Sequence, residues 1–206
     1  TSCGTEGNAM ILRGLPRSGR RKIVATAVEH PSVLGLLRSL QDIELVIAPV
    51  TGDGALDLDA LRPLVDDQTL LVCVMQAQNE TGVIHDVATV SEIAHRAGAL
   101  VHVDSVQAAG KIDISMRDLG ADFLTISGHK FHAPKGVGAL AIRKGVTLAP
   151  LWHGGGQEQG LRAGTEAVAS IAASYTGLAR TPETINRLFE IYAKITPEDI
   201  RNVARK

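Results

Sequence analysis

Cysteine is scarce: the 206 residues hold two, Cys3 and Cys73. That is too few for the disulfide framework of a small secreted domain. Cys73 lies inside the apolar run 70–75, the setting of a small buried hydrophobe rather than of a nucleophile. Net charge is nearly missing as well, at -1, so no long-range field argues for nucleic acid or an anionic membrane as partner. The apolar runs fall far short of the roughly 20 residues that a membrane-spanning helix requires. No signal-peptide pattern opens the chain, and a reducing cytoplasm is the expected location. What is present is ordinary for a globular protein: 45% hydrophobic and 21% charged residues, in a chain long enough for one sizeable core.

Apolar runs of strand length alternate with amphipathic stretches, and no internal repeat interrupts them. This pattern predicts an α/β fold of three layers, a mostly parallel sheet flanked by helices. Strands are expected at Lys22–Thr26, 44–49, Thr69–Met75, Leu100–Asp104, 123–126 and 137–142. Helices are expected from Gly4 or Thr5, over 31–40, 57–65, 85–97 and 166–178, and again over 182–193 and 197–206. Thr196-Pro-Glu-Asp starts the last of these as a capping box would. The first helix has no strand ahead of it, so the chain is expected to begin inside a domain. A Gly-rich stretch between Trp152 and Thr165 is too irregular for either element.

In open α/β sheets ligands bind just beyond strand ends. The stretch 121–143, ADFLTISGHKFHAPKGVGALAIR, places Ser127, His129 and Lys130 there, between two buried strands. Lys130 has two readings: a solvated surface amine, or one desolvated by apolar surroundings so that it can attack a carbonyl. Asp104 ends an apolar strand, either capping the following turn or offering a part-buried carboxylate to a cation. His30 is either a structural histidine or a flat ring stacked on another. Gly4 and Thr5 open a helix, whose N–H groups could hold a phosphate or be capped locally. A metal site is not supported, because the spacing of His102, His129, His132 and His153 fits no zinc motif and Lys130 adds positive charge. A phosphate cradle, a ring stacker, an acid for a ring nitrogen and a lysine for an aldehyde together match what pyridoxal 5'-phosphate requires.

Six stretches then point to a family: TSCGTEGN, ATAVEHPSVL, VMQAQNETGVI, VHVDSVQAAGKI, SGHKFHAPKGVGAL and HGGGQEQGLRAGTE. In that order, over residues 1–178, they resemble the large domain of the cysteine desulfurases of nitrogen fixation and iron–sulfur assembly, within the class V aminotransferases. The resemblance implies a pyridoxal-phosphate-binding large domain over 1–178, lacking the family's first strands and its small C-terminal domain. The tail 179–206 is unlike the family and closer to a helical piece of a pitrilysin-type peptidase, without its zinc motif. By resemblance, Lys130 forms the Schiff base, Asp104 pairs with the pyridine nitrogen and His30 stacks on the ring. Asn79 and Gln107 serve the ring's phenolic oxygen; Gly4, Thr5, Ser127 and His129 hold the phosphate. Thr165 reaches the phosphate of a partner subunit, which implies a homodimer.

The implied reaction converts L-cysteine to L-alanine and passes the sulfur, through a loop cysteine, to an acceptor or scaffold protein. That loop cysteine has no counterpart here, and neither Cys3 nor Cys73 matches it, so impaired activity is expected. A non-catalytic cofactor-binding remnant, or a related lyase or aminotransferase such as a selenocysteine lyase, is the alternative. Gln76 stands where the family has His or Trp, and Gln78 where it has Asn.

Overall fold

The computed structural model describes residues 1–17 and 19–178. The helices expected at 182–193 and 197–206 lie outside the described residues. Six strands form one sheet: β1 (Lys22–Thr26), β2 (Glu44–Ala48), β3 (Thr69–Met75), β4 (Leu100–Asp104), β5 (Phe123–Ser127) and β6 (Gly138–Ile142), in the order β2-β1-β3-β4-β5-β6. All neighbours run parallel except β5 and β6, as the α/β reading expects. Central β3 is buried along its whole length. This is why its sequence, TLLVCVM, is an unbroken apolar run rather than an alternating one.

Helices cover both faces. Helix α1 (Gly4–Gly14) and α2 (Pro31–Ser39) bury Ile11, Leu12, Val33 and Leu37 against Ile23, Leu71, Cys73 and Phe123. On the other face, the short α3 (Leu58–Leu61) and α4 (Val87–Arg96) pack Leu61, Val90 and Ala94 against Val24, Val72 and Val101. A final helix, α5 (Val168–Leu178), follows the Gly-rich stretch.

Element ends depart from the sequence reading for local reasons. Strand β2 stops at Ala48 because Pro49 has no N–H to donate to a ladder. The helix expected over 57–65 tightens after Leu61 into a 3-10 turn, Arg62–Leu64, where Pro63 removes another donor. Helix α4 begins at Val87, because Asp86 caps it by accepting the Thr89 N–H at 3.1 Å.

Two features of this scaffold set the site. Helix α1 lies directly on β5: a Cβ at Gly7 would stand 2.8 Å from the Thr125 methyl, and one at Gly4 2.8 Å from a Val106 methyl. At the opposite, N-terminal end of the strands, Asp122 is fully buried and accepts from Arg143 Nε and from the Val101 N–H at 2.8 Å, while His95 Nε2 lies 3.0 Å away. Nearby Arg20 donates to the carbonyls of Gly98 (2.6 Å) and Thr69 (3.3 Å), tying β3 and β4 to the chain entering β1.

Candidate functional site

The C-terminal ends of β1, β3, β4 and β5 meet the starts of α1 and α2. Asp104, the last residue of β4, is 3% exposed, more deeply buried than its position at a strand end suggested. Its Oδ1 accepts the Val106 N–H at 3.0 Å and its Oδ2 accepts Asn8 Nδ2 at 3.0 Å. The turn-capping reading therefore holds for one oxygen. Both donors are neutral, and among the described residues no cation pairs with this carboxylate.

Asn8 also donates to Ser32 Oγ (2.9 Å), and Ser32 Oγ lies 2.8 Å from His30 Nδ1. That ring nitrogen accepts the Ser32 N–H (3.1 Å), so His30 caps α2. His30 is thus exposed yet fixed, and linked to Asp104 through two polar side chains. Sequence reasoning missed Asn8 and Ser32. The available signal was a polar Asn on the helix face that also carries Ile11 and Leu12.

Helix α1 begins after Cys3, which gives it no side-chain cap, so its first-turn N–H groups face outward with the positive end of the helix dipole. Buried Ser127 lies beside Gly4, and its Oγ is 2.9 Å from His129 Nδ1; Thr5 is exposed on the same turn. Glu6 would cancel this positive end if left free, but Arg162 binds its carboxylate at 2.8 Å. Burial pushes the Glu6 carboxyl up, and the bonds from Arg162 and Ser2 outweigh it, bringing it down to about 2. Arg162 also lies over the Trp152 ring, 5.8 Å from its centre.

Lys130 departs from the desolvated reading. It sits on the 3-10 turn Gly128–Phe131, and such a turn sends successive side chains in different directions. Phe131 takes the inward direction, at 3% exposure, which leaves His129 and Lys130 exposed. Lys130 and Asp104 share one end of the sheet, but the amine is not buried. Gln107 accepts from Lys111 Nζ at 2.6 Å. Asn79 is exposed in a loop held by Gln78, whose Oε1 accepts the Glu80 and Thr81 N–H groups. Gln76 is buried and accepts from Ser105 Oγ at 2.7 Å. Thr165 is set apart: it is exposed and lines a cleft of about 80 Å³ with Ser2, Gly136 and Arg162. No group of three or more His, Cys, Asp or Glu is placed to hold a metal among the described residues.

Among the described residues, four buried side-chain atoms have no partner: Asn8 Oδ1, Glu29 Oε2, His85 Nε2 and His102 Nδ1. His102 is two residues before Asp104 on the same face of β4, and its Nε2 is 3.3 Å from Thr125 Oγ1. Burial drives it down to about 4 against the pull of Asp104, so the ring is neutral. The chemistry of this donor set fits pyridoxal phosphate. A buried carboxylate with neutral donors only suits a protonated ring nitrogen, an uncapped helix start beside a hydroxyl and an imidazole suits a phosphate ester, and an exposed amine suits an aldehyde.

Comparison with known proteins agrees. Residues 1–186 match the family model described as aminotransferase class-V. A cysteine desulfurase of Trichormus azollae is 46% identical over 187 residues, covering 89% of this chain and 46% of that protein. One from Cereibacter sphaeroides is 47% identical over 188 residues, covering 89% and 48%. A solved NifS-like protein superposes with a TM-score of 0.84 at 41% identity, covering 92% of this chain and 53% of its own. A structure described as SspA in complex with cysteine gives 0.82 at 29% identity, covering 88% and 55%. The chain spans about half the length of these relatives.

Proposed function

The chain belongs to the class V aminotransferase family, and from that premise we propose that it carries the pyridoxal phosphate site of a cysteine desulfurase acting on L-cysteine. The observation that carries the reading is Asp104, buried at the end of β4 and held among the described residues by neutral donors, one of them from α1, whose start has no side-chain cap. When bound, the coenzyme supplies an electron-withdrawing ring that stabilises negative charge at the substrate's Cα. Asp104 keeps a proton on the ring nitrogen, because a buried carboxylate with no other cation favours that charge. Asn8 and the Val106 N–H fix the direction in which the carboxylate points.

His30, tethered by Ser32, would stack on the ring, and Asn79 and Gln107 would serve its phenolic oxygen. The first N–H groups of α1 at Gly4 and Thr5, with Ser127 and His129, hold the phosphate. Lys130 would hold the coenzyme's aldehyde, and its Nζ, when free, would be the base for the proton at the substrate's Cα. Thr165 of a second copy completes the phosphate site, which makes the working form a homodimer. Adding pyridoxal phosphate to the purified chain is expected to produce a visible absorption band that Lys130→Ala abolishes; a folded sample without a band would reject the proposal.

The final sulfur transfer needs a thiolate nucleophile. Cys73 is buried in β3, where burial above all pushes its thiol well above its ordinary value and the Asp104 carboxylate adds to the shift. Cys3 is held at the start of α1. A second reading therefore has these residues binding the coenzyme without passing sulfur to an acceptor protein. Incubation with L-cysteine and a thiol reductant, which supplies the two electrons that turn the released sulfur into sulfide, separates the two: alanine and sulfide formed well above the rate with free coenzyme would remove the second reading.

A further inference from the structure

The turn between β1 and α2 carries an acid that the proposed chemistry does not use. Glu29 is 5% exposed and sits one residue before His30. Its Oε1 accepts two hydrogen bonds, each 2.6 Å, from Thr26 Oγ1 and from the Met75 N–H. Strand β1 ends at Thr26, so the Met75 N–H at the tip of β3 lacks a ladder partner on that side, and the Glu29 side chain takes the place of the missing strand. Its Oε2 is buried and has no partner among the described residues.

We propose that Glu29 is a positioning residue that works as an uncharged carboxylic acid, joining the tips of β1 and β3 to the start of α2 and leaving Asp104 the single anion on this face of the site. The inference rests on the coenzyme reading given above, and it adds the charge state that the site requires.

Among the groups facing Glu29 two donors favour the carboxylate, while burial and a neighbouring acid favour the neutral form. From β1 comes one hydroxyl, Thr26, and from β3 one N–H, Met75, together with the Cys73 thiol. From β4 comes the Asp104 carboxylate, a like charge. No lysine or arginine pairs with Glu29 among the described residues. A buried carboxylate with one oxygen unbonded and another carboxylate close by costs far more than the acid does. Burial pushes the group up to about 8; the Thr26 and Met75 bonds oppose this and Asp104 adds to it. With both bonds falling on Oε1, the proton resides on Oε2. Two carboxylates here would compete for the coenzyme's ring proton, whereas one carboxylate and one acid leave that proton a single destination.

The sign of the pH dependence follows. An acid whose value is raised on folding stabilises the fold fully below its free value of about 4.5 and loses that contribution as the pH climbs through about 8. The test is infrared spectroscopy of the full 206-residue chain without coenzyme, from about pH 5 to about pH 9. A protonated-carboxyl band is expected at neutral pH, absent in Glu29→Gln and bleaching as the pH passes about 8. Thr26→Val removes a donor that favours the charged form, so it should move the bleaching to higher pH, a displacement that a purely structural role would not produce. No band at neutral pH, a band that survives Glu29→Gln, or a midpoint unmoved in Thr26→Val would overturn the proposal. If Glu29→Gln fails to fold, the wild-type and Thr26→Val titrations still decide. Wild type that shows the band yet binds no added pyridoxal phosphate would sink the function reading and leave the proton on Glu29.

Discussion

Two aspartates, buried almost equally, stand at opposite ends of the same sheet. Asp122, where the strands begin, is closed in by Arg143, His95 and the Val101 N–H. Asp104, where they finish, has among the described residues only an amide and a backbone N–H. The first is compensated within the chain and secures β4, β5 and the end of β6. The second carries its desolvation cost with no countercharge, alongside the unpartnered atoms of Asn8, Glu29 and His102. Burial of this kind adds nothing to the fold's own stability, and on the proposed reading the coenzyme's ring nitrogen would supply the missing cation.

Substitution should separate the two ends cleanly. The largest effect is expected for Asp122→Ala: removing the acceptor of an arginine and a buried N–H should cost about 3 kcal/mol in urea unfolding. Asp104→Asn should leave coenzyme-free stability unchanged or raise it by up to about 1 kcal/mol, since it relieves an unpaired charge. The same change should weaken pyridoxal phosphate binding by about 100-fold in a fluorescence titration, the scale of a lost buried charge partner. Equal loss of stability at both aspartates would erase the distinction. Asn8→Ala is intermediate: about 1.5 kcal/mol, from stranding Asp104 Oδ2 and removing one of the partners of Ser32 Oγ. The smallest effect belongs to the exposed pair of Glu92 and Arg96, 3.3 Å apart on α4. Removing both should change stability by less than about 0.5 kcal/mol, showing that burial rather than charge sets the weight of Asp122.

The sheet was legible because its strands are short apolar runs between breakers, and β3 is the clearest case. Asp104, Ser127, His129 and Lys130 were legible because they follow such runs directly. What surrounds them was not. Asn8 meets Asp104 from 96 positions away, and Glu29 meets Met75 across 46; neither spacing leaves a local pattern. Lys130 shows the converse. Apolar strands on either side left both a solvated and a desolvated amine open, and in a single 3-10 turn the inward place goes to Phe131 while the lysine is exposed.

The glycine contacts of α1 have a consequence for what this end of the sheet admits. With only hydrogen at Gly4 and Gly7, the helix rests against the Val106 and Thr125 methyls, and atomic radii set how far the helix start stands from the carboxylate at the end of β4. On the proposed reading that interval would be a gauge, since a ligand seated at both the helix start and the Asp104 carboxylate would have to match its length.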